Sequence, residues 1–237
     1  MTTRLEVFGL KLDLKKRSIL KDLSFTIAPG WFGILGVNGS GKTTLLKALC
    51  ARLPISGGEI RYKGKDITDN EANRAKIFSF APDIHSLPPN LTAKELILLL
   101  ADLKQVSPFE PSALYTILGL SHIDDKLIGA MSSGMRQRVS LFCAFLGTPE
   151  VVLLDEPFNW LDPVAAYDLK RELRAYIDGA RCIVTTLHDV ETFVTRCDQG
   201  ILIHQGKILR LFDQQQMCTG RTRVGEMEAE IYNLFPR

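Results

Sequence analysis

Almost no excess of either charge marks this chain: 29 Lys and Arg stand against 27 Asp and Glu, a formal net charge of +2. So even a balance gives no electrostatic argument for nucleic acid, which is held by basic surfaces, and no nucleic-acid partner is expected. Paired cysteines are also missing. Cys50, Cys143, Cys182, Cys197 and Cys218 lie far apart and none belongs to a C-x-x-C pair. That spacing disfavours a zinc site or a disulfide framework and points to reduced thiols in a cytosolic setting. Long apolar runs are absent too. The longest, Leu96 to Ala101 and Val139 to Gly147, fall well short of the ~20 residues needed to span a bilayer. Met1 to Leu10 carries Arg4 and Glu6 and lacks the apolar core of a secretory leader. The expectation is a chain soluble by itself, held at any membrane by something else.

What is present suffices for a sizeable core: 46% of the 237 residues are hydrophobic. Leu5 to Phe8, Leu23 to Ile27 and Trp31 to Leu35 read as strands, and Thr43 to Ala51 as a helix with apolar residues at Leu45, Leu46 and Leu49. Gly57-Gly58 marks a turn before a short strand at Glu59 to Tyr62. Beyond the prolines at 82, 88 and 89 the character becomes helical, over Ala93 to Leu103, Pro111 to Leu118 and Ser133 to Leu146. Val151 to Leu154 is a continuous apolar run of the kind buried on both faces of a parallel sheet. A helix at Pro163 to Ile177, strands at Cys182 to Thr186 and Ile201 to His204, and a hairpin through Gly206 to Lys207–Leu211 follow. The tail from Cys218 is polar and receives no role.

Gly36-Val37-Asn38-Gly39-Ser40-Gly41-Lys42-Thr43, followed by Thr44, fits G-x-x-x-x-G-K-[ST] between a strand and a helix. Glycines let backbone N–H groups turn toward phosphate, and the helix N-terminus adds partial positive charge. Lys42 can reach the β- and γ-phosphates, and Thr43 can offer its hydroxyl to Mg²⁺. The loop implies a nucleoside triphosphate but does not separate kinases, GTPases and transport ATPases. Asp155 and Glu156 end the apolar strand at 151–154, where ligands of open α/β sheets sit. Asp155 is placed to hold Mg²⁺, and Glu156 to orient the attacking water or take its proton.

A third segment, Met131-Ser132-Ser133-Gly134-Met135-Arg136-Gln137-Arg138, lies between these two motifs. A serine and a glycine at a helix start form an anion site. The segment resembles the L-S-G-G-Q signature of ATP-binding cassette (ABC) transporter subunits: Ser132 and Gly134 match, while Met131, Ser133 and Met135 differ. Its form is similar to that of exporters of peptides, antibiotics, lipids or ions. The resemblance runs over roughly residues 4 to 212. Asp162 in Phe158-Asn159-Trp160-Leu161-Asp162-Pro163 falls at the D-loop place, and His188 at the switch-histidine place.

The resemblance implies an α/β P-loop NTPase core, an N-terminal antiparallel β portion and an inserted helical subdomain at about 86–147. One nucleotide-binding domain would span 1–217, with 218–237 as a tail. It implies ATP and Mg²⁺ as cofactors and Glu156 and His188 as catalytic residues. The segment Ser132, Ser133, Gly134, Met135 would meet the ATP of a second ABC subunit. A polytopic transmembrane subunit would carry cargo, with this chain on the cytoplasmic face of the membrane. Two places depart from the family. Leu14 stands where an aromatic residue usually stacks on adenine, which weakens that contact. Asp83 stands at the Q-loop glutamine, where it can approach Mg²⁺ as a further ligand but is shorter and charged.

Rival readings are a soluble cassette ATPase, a binding-only regulatory subunit prompted by Leu14 and Asp83, and a P-loop kinase. The first usually carries two cassettes or coiled-coil insertions. The second fits poorly with Glu156 and His188, and the third with the signature and histidine places.

Overall fold

The computed structural model describes residues 5–15, 17–147, 149–177 and 180–235. The chain opens with a long hairpin of β1 (Leu5–Leu14) and β2 (Arg17–Ile27), then crosses to β3 (Gly30–Leu35) and α1 (Lys42–Leu49). Strands β4 (Gly57–Tyr62) and β5 (Lys65–Asp66), helix α2 (Glu71–Ile77) and the short β6 (Phe78–Phe80) follow. Helices α3 (Ala93–Lys104), α4 (Ser112–Ile117) and α5 (Ser133–Phe145) precede β7 (Val151–Leu154). Then come α6 (Pro163–Tyr176), β8 (Cys182–Leu187), α7 (Val190–Arg196), β9 (Gln199–His204) and β10 (Lys207–Phe212). Two helices close the chain, α8 (Gln214–Thr222) and α9 (Val224–Leu234). None of the described helices is long and apolar enough to cross a membrane.

Two sheets result. One is antiparallel, in the order β2-β1-β4-β5, and the other runs β10-β9-β3-β8-β7-β6. In the second, β3 pairs parallel with β8 and β9, and β7 parallel with β6 and β8. Only β10 runs antiparallel, as the return arm of a hairpin.

Successive side chains of a strand point to opposite faces, so the fully apolar strands feed two cores at once. Trp31 and Leu35 of β3, Val152 and Leu154 of β7, and Ile183 of β8 face one core. Phe32, Ile34, Val151, Leu153 and Val184 face the other. The second core is closed by Leu45, Leu46 and Leu49 of α1 and by the inward residues of β1 and β2. Helix α1 is thus clamped between the two sheets, and its first turn emerges at the strand ends. The first core is closed by α3, α5, α6 and α7. Phe193 of α7 lies directly on the central sheet. A Cβ on Gly33 would come within 2.6 Å of its ring and one on Gly200 within 2.5 Å, so only glycine allows this approach.

Helix α4 starts after Pro111, which stands at its N-cap rather than inside it. Elements not anticipated are β5, α2, β6 and α7, besides the two last helices. Helix α2 buries a single residue, Arg74, whose guanidinium donates to the Ala48 carbonyl, so no apolar period betrays it. The stretch read as a roleless polar tail is the largest difference. Helix α8 runs straight across residue 218, and Met217, Met227 and Ile231 are buried in the first core. Val224, Leu234 and Phe235 pack on its margin. The order 217, 224, 227, 231, 234 is a helical stripe too sparse to stand out among polar neighbours. The five cysteines are free thiols; only Cys218 is exposed.

Asp198 is the polar hinge of this half. It accepts from the Trp31 N–H (2.9 Å), Arg174 of α6 (2.7 Å) and Arg221 of α8 (2.9 Å). Burial pushes its carboxyl up, but the three donors outweigh burial and hold it below the usual carboxylate range. A depressed folded pKa gives stability that is full above the unfolded value, near 3.9, and lost as pH falls through the folded value. Asp198→Asn is therefore expected to cost about 2 kcal/mol at pH 7, with the deficit shrinking below about pH 4. Urea titrations of both proteins at several pH values check this; a deficit constant down to pH 2 would exclude the ionic role.

Candidate nucleotide site

Helices α4 and α9 have no side-chain cap, whereas α2, α3, α5, α6, α7 and α8 each begin with a side chain that caps the first turn: Asn70, Thr92, Ser132, Asp162, Asp189 and Asp213. Helix α1 does not. Its N-cap is Gly41, in the left-handed region at φ 107°, with no side-chain acceptor and no acidic residue in the first turn. The first four N–H groups of a helix have no intrahelical partner, so here they are left for an external anion. Ser40, 2% exposed, has a hydroxyl with no hydrogen-bond partner. This loop fits a polyphosphate. The β9–β10 turn braces it from behind: the Gly206 N–H donates to the Ser40 carbonyl, and the Gly206 carbonyl accepts from the Lys21 N–H.

Lys42 is nearly buried and donates to the carbonyls of Gly36 (2.7 Å) and Val37 (3.3 Å). Its Nζ lies 3.8 Å from Glu156 Oε1. Burial lowers its pKa, and Glu156 and then Asp155 partly restore it.

The phosphate loop and the acidic strand end meet through hydroxyls. Thr43 Oγ1 donates to Asp155 Oδ2 (2.7 Å), and Thr186 Oγ1 to Asp155 Oδ1 (2.6 Å). The same Thr186 oxygen accepts the Glu156 N–H (2.8 Å). Thr186 is fully buried at the end of β8 and ties both carboxylate residues to that strand. Glu156 sits in the left-handed region (φ 45°), and Asn159 Nδ2 holds its Oε2 at 2.6 Å. A hydroxyl facing a carboxylate is an oxygen donor set suited to Mg²⁺. Sequence reasoning missed Thr186 and Asn159, because single hydroxyl and amide residues carry no motif without coordinates.

Asp83 borders a cleft of about 300 Å³ that also takes in Thr43, Asp155, Glu156 and Gln137. Its Oδ1 accepts the His85 N–H (2.8 Å) within its own loop. His188 follows β8 and is exposed. It lines a separate cavity of about 670 Å³ with Gly36, Val37, Asn38, Glu156 and Asn159. Leu14 lies half exposed at the end of the β1–β2 hairpin, paired with Arg17.

The Ser132–Met135 segment lies outside both cavities. Ser132 caps α5 by accepting the Met135 N–H (3.3 Å). A Cβ on Gly134 would lie 2.6 Å from the Trp160 carbonyl, so glycine is needed where these backbones touch. Arg138 reaches Asp162 (3.1 Å), which also caps α6 through the Ala165 N–H (2.9 Å). That N–H, with Arg138 contributing less, holds the Asp162 carboxyl below its usual range. Gln137 donates to the Pro157 carbonyl (3.3 Å), and Ser140 to the Pro82 carbonyl (2.5 Å).

The family model described as ABC transporter matches residues 20–159. The Nod factor export ATP-binding protein I of Burkholderia thailandensis is 30% identical over 194 residues, which is 80% of this chain and 64% of that protein. The uncharacterized ABC transporter ATP-binding protein YhcH of Bacillus subtilis is 30% identical over 88% of this chain and 70% of its own length. The retinal-specific phospholipid-transporting ATPase ABCA4 of Bos taurus is 33% identical over 76% of this chain, but only 8% of that protein is covered. The chain thus spans just under two-thirds of the Burkholderia protein and a small part of the bovine one. A solved ATP-binding subunit of an ABC transporter superposes with a TM-score of 0.80 at 25% identity, over 96% of this chain and 99% of that one. A bacterial Atm1-family ABC exporter with ATP bound reaches 0.81 at 21% identity, over 98% and 41%. With the uncapped α1, the carboxylates at the end of β7 and a matched segment that is more than half its length, this chain belongs to the ABC transporter family as an ATP-binding cassette.

Proposed function

We propose that the chain binds Mg-ATP, hydrolyses it, and so powers export through a separate transmembrane subunit. The observation that carries this reading is the hydrogen-bonded path Thr43–Asp155–Thr186–Glu156, which joins the phosphate loop to the acidic strand end. The N–H groups of the loop and of α1's first turn hold the phosphates, through Gly36, Val37, Asn38, Gly39, Ser40, Gly41 and Thr44, and Lys42 adds charge to the β- and γ-phosphates. Thr43 and Asp155 would hold Mg²⁺, with Asp83 at the edge of the same cleft. When bound, the ion neutralises charge on the phosphates.

Glu156 orients the attacking water and takes its proton. Asn159 holds one oxygen of its carboxylate by a hydrogen bond and the Lys42 ammonium lies 3.8 Å from the other, which limits the carboxylate's freedom at the moment of transfer. His188, on the γ-phosphate side, supports the same water. Ser132, Ser133, Gly134 and Met135 line neither cavity beside the chain's own loop and would close over the ATP of a second cassette. The backbone of Trp160 and the Asp162–Arg138 pair hold that segment in place.

A groove of about 670 Å³ between α3 and the β6 edge, lined by Phe80, Pro82, Leu87, Leu96, Leu100 and Leu103, suits a transmembrane partner beside the Asp83 loop. The chain would then work on the cytoplasmic face of a membrane. Names of the relatives speak of Nod factor export and phospholipid transport; export is carried here by that likeness and by the form of the signature segment.

Glu156→Gln is expected to keep ATP affinity and lose turnover by about 10²–10⁴-fold. Phosphate-release kinetics at saturating ATP decide it, and turnover within a factor of two of the parent would remove Glu156 from its role. Lys42→Ala is expected to weaken ATP binding at least about tenfold by calorimetry, since it removes a desolvated charge from the phosphates. Equal affinities would contradict the assignment of the loop. Capture of the tagged chain from gently solubilised membranes should bring down a polytopic protein in near-equal amount; ribosomes or soluble partners alone would favour the rival of a soluble ATPase.

A further inference from the structure

Glu156 and His188 follow the ends of two neighbouring strands, β7 and β8, and each sits in a loop beyond the ladder that pairs them. The backbone on both sides of His188 is held. The Leu187 carbonyl accepts the Gly36 N–H of the phosphate loop (3.3 Å), and Asp189 caps α7 by accepting the Glu191 and Thr192 N–H groups (3.1 Å each). Glu156 leads through Pro157 into Phe158, whose ring packs on Trp31 with centroids 6.3 Å apart. One side chain reaches both loops. Lys170 of α6 donates from Nζ to Thr192 Oγ1 (2.7 Å), and the same Nζ lies 4.9 Å from the centroid of the Phe158 ring. Thr192 is buried, and its hydroxyl donates in turn to the Asp189 carboxylate.

Lys170 belongs to neither loop. Its helix is anchored by Leu169 and Leu173, both buried in the first core, so the ammonium is a fixed point between them. The hydrogen bond sets the distance to the first turn of α7, and the cation is drawn to the face of the Phe158 ring. Ordering a long lysine stem costs entropy, which the two partners together offset. Such precision matters here, because a misplacement of about 1 Å in a catalytic group can cost roughly 10²-fold in rate. Resting on the roles given above to Glu156 and His188, we propose that Lys170 is a positioning residue for hydrolysis. It holds the loop carrying His188 and the segment leaving Glu156 at the separation that lets both address one water. Lys170 lines neither cavity beside the phosphate loop, so its effect passes through Thr192 and Phe158.

The test measures single-turnover rates of the purified full-length chain, in excess over radiolabelled Mg-ATP so that slow variants are readable. Lys170→Met keeps the stem and removes the charge and the donor. It is expected to lower the rate about tenfold or more, with ATP affinity by calorimetry within a factor of two of the parent. Lys170→Arg, which restores a cation and a donor, should recover most of that loss. In a His188→Ala background Lys170→Met should change the rate less than about twofold, since residues acting through one another are not additive. Thr192→Val removes the acceptor at the other end of the bond and should reproduce the loss, and it carries the test if Lys170→Met fails to fold. A parental rate in both single variants overturns the inference. So does an equal fold-loss with and without His188, or a loss confined to ATP affinity; each leaves the roles of Glu156 and His188 standing. A parental rate in His188→Ala alone overturns the role of His188 and this inference with it.

Discussion

The uncapped N-terminus of α1 is the constraint on which the rest of the site depends. Six other helices place a side chain on at least one first-turn N–H, whereas α1 begins at a glycine with nothing to offer its N–H groups. Leaving those donors free has a cost in the isolated chain, and clamping the helix between two sheets offsets it. Leu45, Leu46 and Leu49 are fully buried, at about 2 kcal/mol each. The helix cannot tilt to find other partners, so its first turn stays aimed at the strand ends where Asp155 and Glu156 emerge.

One helix links the remaining parts. Along α5, Gly134 packs on Trp160, Gln137 binds the Pro157 carbonyl, Arg138 pairs with Asp162, and Ser140 holds the Pro82 carbonyl. These four contacts reach the signature end, the acidic strand end, the D-loop place and the Asp83 loop. A movement of the Asp83 loop, beside the proposed membrane-partner groove, would therefore be carried to the segment proposed to face a second cassette. The path is a rigid element with short contacts at both ends, not a chain of soft loops.

Legibility in the sequence followed the physical origin of each signal. Strands buried on both faces announce themselves by unbroken apolar runs, so Trp31–Leu35, Val151–Leu154 and Cys182–Thr186 were readable. The phosphate loop was readable because glycine spacing and a lysine are themselves its mechanism. Thr186 was not: its role comes from a buried position between two carboxylates, which only the pairing of β7 with β8 creates. Nor was the C-terminal pair of helices, whose few apolar residues fill one side of a core built by others. Leu14 and Asp83 were legible as departures from the family pattern. The coordinates add that Leu14 lies half exposed and that Asp83 spends one oxygen on its own loop.

Departures in the signature segment bear on how much energy the proposed dimer must draw from ATP. Shifting a pair from about 1% to about 99% closed takes roughly 5.5 kcal/mol of preferential binding. Two nucleotides share that load, so each supplies about half, the strength of one or two hydrogen bonds to a charged group. The first turn of α5 can provide these without particular side chains at 133 and 135. Ser132 already caps the Met135 N–H, and the first-turn N–H groups of Ser133 and Gly134 have no intrahelical acceptor. What the geometry does require is Gly134, because any Cβ would strike the Trp160 carbonyl and turn the helix end away. Serine at 133 and methionine at 135 therefore leave the proposed anion-binding donors in place, while the glycine between them is the residue that cannot change.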